Sequence, residues 1–269
     1  MRVSGTAGNA MTIRRLGVGL VVVGALLLAG CRGGDGEAAA ETETAVATSE
    51  VVATETAAPT AEATAEPVTA CVQALVHDGT EHLLLRADKE QALPDGYTPE
   101  VVQLPLQYIL AGWTEQYLIP EAAEALMAML DAAREAGHEV VVRSSYRSYD
   151  EQVWTFQYWV DQVGEEQARR ESAVPGHSEH QLGQTVDVTS ASVGWELSQA
   201  LGDTPEGVWL HEHLAEFGFA LSYPPGMEEV TGYIYEPWHL RYVGLACAAE
   251  WEASGLTLIE VLRGDHLGG

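Results

Sequence analysis

The chain has 269 residues, with 13 lysines and arginines against 40 aspartates and glutamates, a formal charge of −27. Lys89 is its only lysine. This balance excludes a basic nucleic-acid-binding surface and argues against unassisted attraction to anionic lipids, and the roughly 200 residues outside the N-terminal segments suffice for one substantial core rather than two.

Arg2, Arg14 and Arg15 precede an uncharged, mostly apolar run from Leu16 to Ala29. A membrane-spanning helix needs about 20 such residues, so residues 1–30 read as a signal peptide. The run closes in Leu28-Ala29-Gly30-Cys31, which resembles a bacterial lipobox. That resemblance implies cleavage before Cys31, lipidation of Cys31, and a stable membrane anchor through two or more acyl chains. In the alternative reading the peptide is an ordinary secretory one and Cys31 is incidental. Either way the protein leaves the cytoplasm. Residues 31–70 are rich in Ala, Glu and Thr, lack aromatics, and show no apolar periodicity. They read as a disordered acidic tether, because they cannot offset the entropy of ordering. Cys71 and Cys247 flank the remaining domain, residues 71–269, in a compartment that permits disulfides. They are a candidate bridge, with two buried free thiols as the alternative.

Cys71–His77 and His82–Arg86 are expected to pair as a small hairpin around Asp78-Gly79. Pro120 opens a helix that ends at Gly137, with Ala122, Ala125, Leu126, Met129, Leu130 and Ala133 as its apolar stripe. Glu139–Ser144 reads as a strand. Ser148-x-x-Glu151 is a capping box for a helix reaching Val163, with Val153, Phe156, Val160 and Val163 on one face. Val186 and Val188 alternate with Thr185, Asp187 and Thr189, the period of a strand. Thr204-Pro205 starts a helix to Phe217, closed by Gly218. Phe219–Tyr223 and Gly232–Tyr235 are strand candidates, and a further helix follows His239. Without regular βαβ repeats, the order predicts an α+β fold, a single domain with a small antiparallel or mixed sheet flanked by helices.

Two polar clusters carry chemistry, Pro175 to Asp187 and Thr231 to Tyr242. Catalytic zinc takes three nitrogen or oxygen ligands and keeps a position for water. His180, Asp187 and His239 can supply that set. Glu236, three residues before His239, is placed to take a proton from the attacking water. Histidine clusters also arise as satisfied polar groups near a surface, so spacing alone leaves both readings open.

The literal strings say more. Ser178, His180, Gly183 and Asp187 match the pattern Ser-x-His-x-x-Gly-x-Ala-x-Asp, and Glu236-Pro237-Trp238-His239 matches Glu-Pro-Trp-His. Upstream, Ser145-Tyr146-Arg147-Ser148-Tyr149 and Gln152 fit a Ser-x-Tyr-Arg-Ser block. Over residues 98–262 the chain thus resembles the VanY-type D-alanyl-D-alanine carboxypeptidases, zinc peptidases that trim peptidoglycan stem peptides. One departure is Thr185, where alanine is usual. The resemblance implies zinc held by His180, Asp187 and His239, Glu236 as general base, and Arg147 as the anchor for a terminal carboxylate. Bidentate guanidinium recognition suits that task; a surface ion pair is the bland alternative for Arg147. Ser178 and Gln152 either bind substrate or stabilise turns. Trp238 is expected to pack so that it holds the Glu236–His239 loop. Tyr235 and Tyr242 line the cleft or fill the core. His213 reads as a core histidine and His177 as a rim residue, while His77, His82, His138 and His266 read as surface residues. The implied partners are a stem peptide or its precursor and, through the lipid, a membrane. Removal of D-alanine from D-Ala-D-Ala ends is the expected activity. An L,D-carboxypeptidase acting on tetrapeptides and a non-catalytic wall-binding lipoprotein are the alternatives.

Overall fold

A computed structural model of the chain describes residues 67–264. The expected signal segment 1–30, the expected lipidation site Cys31, most of the expected tether and His266 lie outside the described residues. The central sheet has four antiparallel strands in the order β3 (Val140–Ser144), β4 (Thr185–Ser190), β6 (His239–Tyr242) and β5 (Phe219–Leu221). A two-stranded antiparallel ribbon joins β1 (Val102–Gln103) to β2 (Tyr117–Leu118). Eight helices complete the described chain: α1 (Pro67–Asp78), α2 (Pro120–Glu135), α3 (Tyr149–Val163), α4 (Glu165–Glu171), α5 (Pro205–His213), α6 (Glu228–Thr231), α7 (Leu245–Ser254) and α8 (Leu258–Arg263). This is the expected α+β class, small antiparallel sheets flanked by helices.

The main core lies between one face of the sheet and the helices. From α2 it takes Ala122, Ala123, Leu126, Met129 and Leu130, and from the strands Val140, Val142, Val186, Val188, Phe219 and Leu240. Full burial of each large aliphatic side chain stabilises by about 1.5–3 kcal/mol. Pro120 stands in the first turn of α2, where its missing N–H costs nothing. Strand β4 is buried along all six residues, so both its faces are covered. Val186 and Val188 therefore face the core while Asp187 points to the opposite side. That opposite side is where the polar residues gather.

The expected hairpin around Asp78-Gly79 is not formed. Residues 67–78 are helical, beginning within the stretch read as tether, and residues 81–84 form a 3₁₀ turn. Cys71 and Leu75 stand four apart and are both buried, the spacing of one helical face. Gly79, at φ 69°, follows the helix rather than turning a hairpin. Gly232–Tyr235 is likewise no strand. Gly232 caps α6 at φ 77°, and Thr231 Oγ1 accepts from the Tyr233 amide, which holds the segment as a loop. The helix expected after His239 is α7, beginning at Leu245, and strand β6, not among the expected elements, stands between them.

The capping box of α3 is present as expected, Ser148 with Glu151. The apolar face expected on that helix is not buried: Val153 and Val163 are exposed, and Gln152 is its one buried residue. Thr155 and Trp159 of the helix line a cleft and Gln152 is buried, so its inward positions carry polar and cleft-lining groups rather than an apolar stripe. Cys71 and Cys247 are joined by a disulfide with Cα atoms 4.6 Å apart, tying α1 to α7. Replacing both by serine should lower unfolding stability by about 2–5 kcal/mol. Urea unfolding read by circular dichroism checks this; an unchanged midpoint would show that helix packing alone holds α1.

Candidate metal centre

Asp187 on β4 lies directly opposite His239 on β6 in the strand register. Adjacent antiparallel partners put their side chains on the same face. Asp187 Oδ1 is 3.2 Å from His239 Nδ1. His180 comes from the 3₁₀ turn Glu179–Leu182, which Gly183 closes at φ 72°. Its Nε2 is 3.2 Å from Asp187 Oδ2. The three ligand atoms all lie within 4.8 Å of one another, and all three residues are buried.

This donor set fits a single zinc ion. Two imidazole nitrogens and one carboxylate leave a coordination position open. Asp187 Oδ1 is buried and accepts no hydrogen bond of good geometry. His180 Nδ1 is 2.7 Å from the Ser145 carbonyl and donates to it, which leaves Nε2 as a lone pair facing Asp187. Burial pushes the His180 pKa down, with Arg147 adding to the effect and Asp187 opposing it, so the imidazole stays neutral. For His239, burial is outweighed by the adjacent Asp187 and Glu179 carboxylates, which raise its pKa to about 10 when the side chains alone set it. A metal must therefore displace the Nδ1 proton, and binding should weaken as pH falls.

Glu179 had not stood out in the sequence. It is buried beside the triad: its Oε2 accepts from His239 Nε2 at 3.0 Å and from Ser222 at 2.6 Å, and its Oε1 accepts from Arg241 at 2.7 Å. Arg241 is fully buried and also donates to the Leu83 and Leu85 carbonyls. His239 and Arg241 are two apart on β6, so both point to one face, and Glu179 bridges them.

Glu236 is buried, with Oε2 3.6 Å from His239 Nδ1. Burial pushes its pKa up to about 8; Asp187 adds to this, while His239, Arg147 and Lys89 oppose it. A cleft of about 310 Å³ is lined by the triad together with Glu236, Arg147, Ser178 and Trp238. Trp238 also packs on the core, and the Pro237 carbonyl beside it accepts from His211 at 2.9 Å, which fastens this loop to α5. Gln152 does not line the cleft. It is fully buried, its Oε1 accepting from Arg147 at 2.7 Å and its Nε2 donating to the Ala173 carbonyl at 2.6 Å. It holds the guanidinium rather than facing the cavity. Tyr242 packs edge-on against Phe219, 5.4 Å between centroids, and Tyr235 packs at the core margin.

A zinc site with an acid beside it and an arginine in the same cleft defines the class: the fold and site are those of a zinc metallo-carboxypeptidase. The family model described as VanY, D-alanyl-D-alanine carboxypeptidase, matches residues 115–245. The chain is 41% identical over 182 residues to YodJ of Bacillus subtilis (strain 168), covering 67% of each protein. Among solved structures it is similar to the LD-carboxypeptidase LdcB, with 39% identity, TM-score 0.63, and coverage of 69% of this chain and 88% of that one. It is also similar to the vancomycin-resistance D,D-pentapeptidase VanY in complex with Zn(II), with 30% identity, TM-score 0.58, and coverage of 68% and 99%. The chain belongs to the VanY family of D-alanyl-D-alanine carboxypeptidases.

Proposed function

We propose that the chain is a zinc-dependent D,D-carboxypeptidase, removing the terminal D-alanine from D-Ala-D-Ala ends of peptidoglycan stem peptides. The observation that carries this reading is the shared cleft, in which Glu236 and Arg147 line the same cavity as His180, Asp187 and His239. Zinc, when bound, polarises a carbonyl and lowers the pKa of water. Arg147, oriented by Gln152 and by Ser144 Oγ at 3.3 Å, takes the terminal carboxylate. Glu236 accepts a proton from the attacking water and returns it to the leaving amine. Ser178, buried in the wall, offers a hydroxyl to the substrate backbone.

The 39% identity to LdcB favours a second reading, L,D-carboxypeptidase action on tetrapeptides. Metal and carboxylate clamp serve both, because neither reads the stereochemistry of the preceding residue. A non-catalytic role finds no support, since each position of the triad and Glu236 is filled. On this reading the enzyme works outside the cytoplasm on the cell wall, and the Cys71–Cys247 disulfide suits that compartment. The lipobox-like residues before Cys31 support a lipid anchor, with the residues from there to the start of α1 at Pro67 as the tether.

Mass spectrometry of products tests the assignment, with the zinc-loaded chain given matched pentapeptide and tetrapeptide stems and a chelator control. Chelator-sensitive loss of one D-alanine from the pentapeptide alone is expected. Cleavage of the tetrapeptide alone would move the assignment to the second reading, and cleavage of neither would sink both.

A further inference from the structure

A second cavity, of about 240 Å³, shares Tyr233 with the catalytic cleft. Lys89, Arg169, Arg170, His177 and Gly232 line it, and no carboxylate does. Nine lysines and arginines stand between residues 67 and 264, and three of them meet here. In so acidic a chain that concentration is local and specific.

The cavity is built around Lys89. Its stem lies on Gly232, where an added Cβ would come 2.6 Å from Lys89 Cγ. Its ammonium sits 3.3 Å from the centroid of the Tyr233 ring and donates to the Arg169 carbonyl. Tyr233 packs in turn on Tyr223, at 4.5 Å between centroids, and Tyr223 packs on His239 at 4.6 Å. One stack therefore runs from the lysine to a metal ligand. Arg169 pairs with Glu165, and Arg170 with Glu228. Lys89 has no ion pair among the described residues. His177 donates through Nδ1 to the Asp88 carbonyl, leaving Nε2 for another partner. The Tyr233 hydroxyl is buried without a hydrogen-bond partner. A lysine ammonium without an ion pair, flanked by two further cations on a cavity wall that carries no carboxylate, favours a negative ligand.

We propose that this cavity is a second anion subsite, taking a carboxylate that the peptide substrate carries upstream of the scissile bond. The inference rests on the reading of the main cleft given above. Arg147 lines the main cleft and not this one, so the two subsites take different carboxylates. Tyr233 lines both cavities and so stands between the metal centre and the second subsite.

The test uses pairs of synthetic peptides ending in D-Ala-D-Ala. Within a pair, one residue one to three positions upstream of the scissile bond carries either a free carboxylate or a carboxamide. For one such position the wild-type chain should favour the acid about tenfold in kcat/KM, mostly through KM, as expected for one charge-assisted contact. Lys89→Gln should bring the acid peptide down to the level of the amide. Equal cleavage of acid and amide at every position by the wild-type chain would overturn the subsite, and that comparison needs no variant to fold. A preference that survives in Lys89→Gln would overturn it too. In either case, cleaved peptides leave the reading of the main cleft standing. Cleavage of no peptide would overturn both.

Discussion

Glu236→Gln should bind one zinc per chain and lose about 10²- to 10⁴-fold in kcat, with KM little changed. The side chain keeps its volume, so packing in the buried loop is preserved. The loop itself is held by other groups: the Glu236 amide donates to the Tyr223 carbonyl at 3.1 Å, and His211 holds the Pro237 carbonyl. What the substitution removes is the ability to accept a proton. In the wild-type chain, burial is the largest influence on Glu236 and raises it to about 8 as the side chains alone set it. A bound zinc brings that value down by adding positive charge nearby. The sign for activity follows: the base must be ionised, so kcat/KM rises with pH through the Glu236 pKa, and that acid limb should vanish in Glu236→Gln. Metal analysis with stopped-time product assays decides the matter. Wild-type turnover in the zinc-loaded variant would remove Glu236 from the chemistry.

The metal triad was legible in the sequence because each ligand sits in a short literal string, Ser178 to Asp187 and Glu236 to His239. Ends of helices were legible where a residue has only one good use. Ser148 with Glu151 caps α3, Pro120 opens α2, and Gly218 closes the turn after α5 at φ 78°. The rest depended on partners distant in sequence. The Asp78-Gly79 turn signal suits a hairpin, yet Cys71 and Leu75 bury as a helical pair in the core that α7 also enters. Strand β6, short and placed just before α7, was not legible, and with it went its consequence, that His239 and Arg241 share a face. With that face unseen, Glu179 had no visible partner, although it stands next to His180. Gln152 was visible as a polar residue near Arg147, but its full burial on the inner side of α3 could not be read from periodicity. The helix faces a polar cleft, so its apolar residues do not mark its inner side.

Glu179→Leu should destabilise the fold by about 3–5 kcal/mol, since it leaves the fully buried Arg241 without its carboxylate. It should also weaken zinc about 10- to 100-fold, since His239 Nε2 loses the acceptor that fixes the ring. Joining it to Arg241→Met separates these effects. Replacing both members of a buried ion pair by apolar residues of similar size is often neutral or stabilising, so the double variant should regain most of the stability. It should not regain zinc affinity, because His239 still lacks its partner. The pH dependence gives an independent check. Burial opposes ionisation of Glu179, but Arg241, His239 and Ser222 together hold its pKa down to about 2, below the ordinary 4.5. A carboxylate whose folded pKa is depressed contributes stability above its unfolded pKa and loses it as pH falls through the folded one. The wild-type chain should therefore lose stability between about pH 4.5 and 2, and the double variant should lose less over the same range. Acid titration of unfolding midpoints measures the first quantity and competition with a zinc indicator the second. Recovery of both stability and zinc affinity in the double variant would show that Glu179 serves the fold alone and leaves the metal ligand to orient itself.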